Sequence, residues 1–380
     1  MKVAVLGYGT VGVGVYEMLA DACGLEQGPV LVREGKDDKP FKRTSIESIV
    51  NDEEVWAVAE VMGGIEPAFS YAKAAIMAGK HFVTSNKALV AEKGIELFRL
   101  AKEHNVAFLF SAACGGAIPF LHNLSIAQKS DEIISLGGIL NGTTNYMLDA
   151  MQRRGMDYSE VLCEAQKLGY AEADPGADVS GLDALRKIML ACAVAYGKLP
   201  MDGLLNEGIE NITAEDVKHF QSKRYTCRLM AKGGQTEDTV YAYVEPVLVG
   251  EDAAECCILN NFNMAKYEGK NSGFITLIGQ GAGRYPTASA VLRDLSSILV
   301  GRRDMMADGC CKVKADNSGA KHSYYVRCDA ELLELFPVET VETENGVARA
   351  VTKELSVEKM HSLAKAARAK GGKLFFAALA

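Results

Sequence analysis

Glu172, Asp174, Asp178, Asp183 and Lys187 crowd one short stretch, a glycine- and proline-bearing loop that runs into the apolar segment Ile188 to Tyr196. The apolar segment predicts a largely buried helix. Charge delivered to a buried helix needs partners, because unpaired burial costs too much to persist. Asp183 and Lys187 stand four residues apart with the acid on the amino-terminal side, the favourable order for a pair on one helical face. Taken alone, such a pair reads as a surface ion pair at a helix start. Its company of further acids and glycines makes this stretch a site, suited to a charged small molecule and to proton transfer.

The elements that would position that site begin at the amino terminus. Val3 to Leu6 reads as a buried strand, Gly7-Tyr8-Gly9-Thr10-Val11-Gly12 follows at once, and Val11, Val15, Met18 and Leu19 then recur at helical spacing. Strand, glycine turn and helix stand in the order of a dinucleotide-binding fingerprint. In such a turn Gly7 permits the bend, Gly9 lets backbone approach a pyrophosphate, and Gly12 lets helix and strand pack closely. The helix start, with Thr10 and Val11, then offers free N–H groups to the phosphates. A second strand, Pro29 to Val32, ends in Arg33-Glu34 with Lys36 and Lys39 behind. An acid there would hold a ribose hydroxyl and an arginine a 2′-phosphate; Arg33 coming first favours NADP, with NAD left open.

Alternation continues with strand Val55 to Met62, helix Pro67 to Ala78, strand His81 to Thr84, a helix from near Val90 to His104, and strand Val106 to Phe110. Short strands alternating with helices predict right-handed crossovers and a parallel sheet, with ligands off the carboxyl ends of the strands. Met62-Gly63-Gly64, Ser85-Asn86-Lys87 and Cys114-Gly115-Gly116 lie at those ends, which aims Lys87 at the expected nicotinamide end. Farther on, Asn141 to Tyr146 is polar after the apolar strand Leu136 to Leu140. Gly279 to Ala288 is a second glycine turn that opens a helix, Ser289 to Leu299.

The chain has 380 residues, 48% hydrophobic and 24% charged, enough for two or three domains with a sizeable core. A net charge of −8 and a pI near 5.5 argue against nucleic acid or an anionic membrane as main partner. No apolar run is long enough to span a bilayer, and Met1-Lys2 leads straight into a strand, so we expect no signal peptide. Ten scattered cysteines without a C-x-x-C spacing fit reduced core thiols of a cytoplasmic protein better than a zinc site.

Ala165 to Lys187 carries A-x-x-x-G-Y-x-E-x-D-P-x-x-D-x-x-G-x-D-x-x-x-K. Together with Gly7 to Gly12, Glu60 to Pro67, Ser85 to Lys87, Gly115 to Pro119, Asn141 to Tyr146 and Gly279 to Ala288, it resembles the homoserine dehydrogenases over residues 1 to about 300. That family reversibly reduces L-aspartate 4-semialdehyde to L-homoserine with NAD(P)H, on the route to threonine and methionine. The resemblance implies that Lys187 donates the proton to the aldehyde oxygen, or accepts it in oxidation. Asp183 would orient that lysine or contact substrate, and Lys87 would lie between nicotinamide and substrate. Glu172 would hold the substrate ammonium, with Tyr170, Thr143 and Asp178 in the same pocket. Gly7, Gly9, Thr10, Val11, Gly12, Arg33, Gly63, Ser85, Lys87, Gly169 and Gly283 would touch the cofactor. A homodimer is implied as well.

The chemistry agrees. Hydride arriving at an aldehyde carbon leaves an alkoxide, which a nearby ammonium stabilises and protonates. A lysine of ordinary pKa ~10.4 is a poor base near neutrality. Oxidation of homoserine is therefore expected to rise toward alkaline pH.

Two departures from the family pattern stand out. The family often has Glu-Ala-Ala-Val where a monovalent cation (Na or K) is held by backbone carbonyls. Here Ser111-Ala112-Ala113-Cys114 leaves the carbonyls of Cys114, Gly116 and Ile118 without that carboxylate. Cys114 also sets a thiol beside the expected cleft, read either as a reactive group whose alkylation would inhibit or as a small buried filler. The second departure is the tail. It reads strand Tyr324 to Cys328, short helix Ala330 to Phe336, an Asn345-Gly346 hairpin, a helix capped by Ser356, and a strand Lys373 to Leu379. That βαββαβ order resembles an ACT regulatory module without its usual ligand loop, hence a structural or dimerising remnant.

The expected architecture is an α/β Rossmann NADP-binding domain over 1–125, with 280–318 returning to it, an inserted α+β substrate and dimerisation domain over 126–279, and a degenerate ACT-like domain over 319–380. Cys256 to Thr276 would supply strands of the inserted sheet. Two rivals stand beside the dehydrogenase reading. An aspartate-semialdehyde dehydrogenase would need a nucleophilic cysteine with a paired histidine. A catalytically silent NADP-sensing regulatory protein of the same fold would not need the lysine–carboxylate set.

Overall fold

A computed structural model of the chain describes residues 1–33 and 44–380, so Glu34, Lys36 and Lys39 lie outside the described residues. The amino-terminal unit alternates β1 (Lys2–Leu6), α1 (Thr10–Leu19), β2 (Glu26–Leu31), α2 (Ile46–Asn51), β3 (Val55–Glu60), α3 (Ala68–Met77), β4 (His81–Thr84), α4 (Lys87–Glu103) and the short β5 (Phe108–Leu109). All strands pair in parallel, in the order β2-β1-β3-β4-β5. Val3 to Leu6, Ala57 to Ala59, Phe82 and Val83 are fully buried, as expected for a parallel sheet covered on both faces. The order reverses at β1, so the ligand crevice opens where β1 and β3 end.

Several boundaries differ from expectation: the second strand runs Glu26–Leu31, the third stops at Glu60, and the helix expected from Ser289 begins at Arg284. The helix expected from Val90 begins at Lys87, because the Asn86 side chain accepts from the Leu89 N–H at 3.1 Å and caps it. The strand expected over Val106 to Phe110 keeps only Phe108–Leu109, where the Phe108 N–H turns to the Arg303 carbonyl at 3.0 Å.

The second unit runs α5 (Phe120–Ala127), β6 (Ile133–Ile139), α6 (Gly142–Arg154), α7 (Tyr158–Lys167), α8 (Gly176–Val179), α9 (Leu182–Tyr196), β7 (Lys198–Asp202), β8 (Leu205–Asn206), α10 (Ala214–Ser222), β9 (Tyr225–Gln235), β10 (Val240–Gly250), β11 (Phe262–Gly269) and β12 (Gly273–Gln280). Its strands order as β12-β11-β6-β9-β10. The expected strands between Cys256 and Thr276 are present from Phe262 onward, whereas Ala254–Cys257 is a turn of 3-10 helix. The long β9–β10 hairpin went unread in the sequence, since Gly233-Gly234 and Pro246 interrupt its apolar pattern. Gly233 is there for close approach: a Cβ would lie 2.9 Å from the Cys192 sulfur and 3.2 Å from Ile188. Helix α9 rests on the sheet at that point, buried continuously from Lys187 to Ala195 as its apolar run predicted.

Helix α11 (Arg284–Leu299) then returns to lie against α1, where Gly14 faces Arg284 and Ala288. Asp294 accepts the Ser111 N–H at 2.7 Å, joining that helix to the exit of the parallel sheet. The stretch 280–318 also reaches the other unit, because β13 (Cys311–Lys314) pairs in parallel with β7.

The tail comprises β14 (Lys321–His322), β15 (Tyr324–Asp329), β16 (Val338–Glu344), β17 (Val347–Thr352), β18 (Leu355–Ser356), α12 (Val357–Ala369) and β19 (Leu374–Leu379). The hairpin turns at Asn345 and Gly346, both at positive φ (50° and 78°). The expected helix from Ala330 is a 3-10 helix, Ala330–Leu335. The strands order as β19-β15-β17-β16, and β19 pairs in parallel with β10 through Val247↔Ala378 and Leu248↔Leu379. Counting β8, which pairs with β10, the tail therefore extends the second unit's sheet to ten strands among the described residues rather than standing apart. Met360, Ala364 and Ala367 of α12 seal its core.

Candidate active site

Helix α9 starts where Gly181, at φ 83°, lets the chain turn from the acidic loop into the helix. One turn apart, Asp183 and Lys187 face the same way, with Lys187 Nζ 2.7 Å from Asp183 Oδ2. Lys87, the first residue of α4, reaches across from the other unit to Asp183 Oδ1 at 3.0 Å. One carboxylate thus carries an ammonium on each oxygen, at the junction of the two sheets. Lys187 is only 6% exposed, and its remaining donor capacity goes partly to the Leu140 carbonyl at the end of β6.

Asn141 completes the cluster. Its carboxamide donates to Asp178 Oδ1 at 2.7 Å and Asp183 Oδ2 at 3.0 Å, while its oxygen accepts from the Thr144 N–H at 2.9 Å and caps α6. No role was read for Asn141 in the sequence. The available signal was its place as a cap residue between an apolar strand and a helix.

The electrostatics follow from burial and pairing. Burial alone would raise the Asp183 carboxyl, but Lys187 and Lys87 hold it well below the usual carboxylate range. Burial alone would lower the Lys187 ammonium, yet Asp183 outweighs it and lifts the lysine above its ordinary value. Burial raises Asp178 against its hydrogen bond from Asn141, and the neighbouring Asp183 charge adds to the rise. The resting site holds a charged lysine poised to give up a proton.

Cys114 packs beneath, its sulfur 3.8 Å from the Lys187 carbonyl. It is 1% exposed, and burial pushes its thiol up to about 12. Of the two readings of Cys114, the buried filler fits and the alkylatable thiol does not: a buried, protonated thiol is a poor nucleophile. The acyl-enzyme rival loses its cysteine for the same reason.

Other expected residues are distributed as follows. The Thr143 hydroxyl donates to the Tyr170 carbonyl, and the Tyr170 ring meets Tyr146 edge-on at 5.0 Å while remaining 38% exposed. Glu172, on the loop after α7, is exposed and its side chain has no hydrogen bond or ion pair among the described residues. Asp174 accepts the Gly176 N–H at 3.1 Å and shapes the same loop, in which Gly169 is exposed at φ 76°.

On the nucleotide side, Gly7 adopts φ 101°, and a Cβ on Gly12 would lie 2.2 Å from the Gly7 carbonyl oxygen. A Cβ on Gly9 would meet no atom within 4 Å, and Gly9 and Thr10 are exposed at the start of α1; Val11 is half-buried. Gly63 follows β3, Gly283 (φ 122°) opens α11, and Arg33 follows β2, all three exposed. The Ser85 N–H donates to the Glu60 carbonyl at 3.1 Å. Bare backbone facing open space at a helix amino terminus fits a dinucleotide pyrophosphate.

Residues Cys114, Gly116 and Ile118 are buried, and the Ile118 carbonyl already accepts the Phe120 N–H at 2.8 Å. Among the described residues no group of three or more His, Cys, Asp or Glu side chains is arranged to hold a metal. A cation there would rest on carbonyls alone.

Comparison with known proteins agrees with this arrangement. The family model for homoserine dehydrogenase matches residues 119–296, and that for the homoserine dehydrogenase NAD-binding domain matches 7–111. Homoserine dehydrogenase of Synechocystis sp. is 38% identical over 319 residues, covering 79% of this chain and 73% of the relative. That of Corynebacterium glutamicum is 39% identical over 316 residues, covering 77% and 70%. The crystal structure of a homoserine dehydrogenase from Thiobacillus denitrificans superposes with a TM-score of 0.87 at 29% identity, covering all of this chain and 98% of the other. With the lysine–aspartate cluster set off the ends of a parallel sheet and these matches along its length, the chain belongs to the homoserine dehydrogenase family.

Proposed function

We propose that the protein interconverts L-homoserine and L-aspartate 4-semialdehyde, as a step toward threonine and methionine. The observation that carries this reading is Asp183 bridging Lys187 and Lys87 at 2.7 and 3.0 Å, at the crevice where the two units meet. A bound nicotinamide supplies or takes the hydride at the substrate carbon. Lys187 gives its proton to the oxygen left negative by reduction, and in oxidation takes it back. Asp183 holds that ammonium in place. Lys87 adds positive charge on the nucleotide side, favouring the alkoxide electrostatically. Asp178, Thr143 and Tyr170 shape the substrate pocket, and Glu172, free of other partners among the described residues, takes the substrate ammonium.

Gly7, Gly9, Thr10, Val11 and Gly12 would hold the pyrophosphate, with Gly63, Ser85, Gly169 and Gly283 around the rest of the nucleotide. Arg33 past β2 favours a 2′-phosphate and so NADP, with NAD as the weaker cofactor. A monovalent cation on the Cys114 and Gly116 carbonyls would be structural, and no step needs it. The cysteines described are all free, in keeping with a cytoplasmic enzyme. No helix among the described residues is long and apolar enough to cross a membrane.

A homodimer is supported by the part of the large sheet beyond α12. Phe274 and Ile278 on β12 are 68% and 58% exposed, and Ile278 pairs with Met264, which lies in the core under α12, so they share its face. We read the tail as a degenerate ACT-like module that serves this assembly by extending the sheet.

The test is the absorbance of reduced nicotinamide with L-homoserine and NADP, then NAD, in wild type and Lys187→Ala. Turnover should fall about a hundredfold or more in the variant while NADPH binding stays within a factor of about three. No turnover in wild type, despite nucleotide binding, would instead favour a silent nucleotide sensor.

A further inference from the structure

Glu60 ends the otherwise apolar strand β3 and is fully buried beneath the nucleotide crevice. Both of its carboxyl oxygens are used. Oε1 accepts the Met62 N–H at 2.7 Å, and Oε2 accepts the hydroxyl of Thr84, also fully buried, at the end of β4. The Thr84 oxygen in turn accepts the Asn86 N–H at 2.9 Å. Asn86 caps α4 through Leu89 and donates to the Gly64 carbonyl at 2.6 Å. A single buried chain of hydrogen bonds therefore fixes the loops after β3 and β4 to each other and to the first turn of α4. Lys87 is the first residue of that turn and the one that crosses to Asp183.

We propose that Glu60, acting through Thr84 and Asn86, is a positioning residue for the reaction: it sets where Lys87 stands between the nucleotide loops and Asp183. This rests on the dehydrogenase reading of Lys87 and Asp183 given above. The purely structural alternative is a strand-end acid that only satisfies local N–H groups. Two features separate them. A core acid used only for stability is replaceable by an apolar side chain, whereas here every bond leads to a loop that borders the crevice. The carboxylate form also matches the donors it meets, because Met62 and Thr84 both present hydrogens.

Burial pushes the Glu60 carboxyl up to about 7 against the hydrogen bonds from Thr84, Met62 and Asn86, and no charged group is among the causes. Its strand neighbours, Leu6 on β1 and Thr84 on β4, are likewise uncharged. Protonation would put a hydrogen where Met62 or Thr84 already directs one. The ordered arrangement is thus the ionised one, and order at Lys87 falls as pH drops through neutrality.

Three variants test this in the full chain. Thr84→Val removes the link, Thr84→Ser keeps its hydroxyl, and Glu60→Gln keeps the shape but turns one acceptor into a donor. For Thr84→Val we expect kcat for aldehyde reduction to fall about tenfold, with the nucleotide KM changed less than about threefold; tenfold is ~1.4 kcal/mol of barrier. Hydrogen exchange of the Asn86 to Leu89 amides should quicken by about the same factor, a readout that does not depend on turnover. Thr84→Ser should recover both to within about threefold of wild type. Glu60→Gln should lose the acid-side fall in kcat between about pH 8 and pH 6 that wild type shows. Unchanged exchange at the α4 start in Thr84→Val, equal losses in Thr84→Ser, or an acid limb that persists in Glu60→Gln would overturn the proposal. A wild type without turnover would count against the dehydrogenase reading, and the exchange data would still decide the role of Glu60.

Discussion

Lys187 shows how one contact decides a residue's chemistry. A lysine this deeply buried would ordinarily shed its proton, and a desolvated neutral amine would make a ready base near neutrality. The Asp183 carboxylate at 2.7 Å reverses that outcome and keeps the ammonium charged above its ordinary range. The site is accordingly built to donate a proton, which favours aldehyde reduction at neutral pH. Oxidation of homoserine needs the neutral amine, and that form becomes common only as pH approaches a value above the ordinary lysine pKa of ~10.4. The oxidative kcat should therefore still be climbing at about pH 10, while the reductive rate changes little once pH is above about 8, where Glu60 is ionised. A pH–rate series in both directions checks this, and an oxidative plateau below about pH 9 would remove Lys187 from the role of base.

At the scale of elements, the site is assembled from helix beginnings. Lys87 is the first residue of α4, Asp183 and Lys187 occupy the first two turns of α9, and Asn141 is the cap of α6. Helix starts leave N–H groups unmet and are fixed by their caps, so side chains there are held in register with the sheet that precedes them. Asn141 serves both purposes, capping α6 and steadying Asp178 and Asp183. Asn141→Ala should cost about 1 kcal/mol of stability from the lost cap and lower kcat about tenfold. Asn141→Ser should restore the stability, since serine caps comparably, yet leave kcat low because it cannot span to both carboxylates. Thermal unfolding beside steady-state rates would show the split; a serine variant of full activity would mean that only the cap matters.

At the scale of the whole molecule, the two large sheets among the described residues are joined through their loops and through α11. Asp294, 1% exposed in α11, accepts the Ser111 N–H at 2.7 Å and so fastens the returning helix to the segment that leaves the parallel sheet. Burial raises its carboxyl to about 6 despite that bond and the nearby arginines. The native state therefore binds this proton more tightly than the unfolded chain, whose aspartates titrate near ~3.9. Its stabilising contribution is complete below that lower value and is lost as pH rises through about 6. Asp294→Asn, which does not titrate, should gain in melting temperature relative to wild type as pH is raised from about 4 to about 7. A wild-type-minus-variant difference that is flat or grows over that range would contradict the assignment. The Lys87–Asp183 bridge spans the same junction, so the catalytic cluster itself depends on how the two sheets are docked.

Much of this was legible in the residues. The fingerprint from Gly7 to Gly12, the alternation through β5 and the Asp183–Lys187 spacing are local patterns, each fixed by backbone sterics or helix periodicity that the sequence carries directly. The Asn345-Gly346 hairpin and the Ser356 cap were readable for the same reason. Tertiary structure alone decided the rest. The β9–β10 hairpin is set by packing against α9 and not by its interrupted apolar pattern, and pairing of β19 with β10 turns the tail into an extension of the sheet. Joining Lys87 to Asp183 depends on docking two units whose residues lie about a quarter of the chain apart. The reactivity of Cys114 and the charge of Lys187 follow from burial, a property of the folded whole that no short stretch of sequence contains.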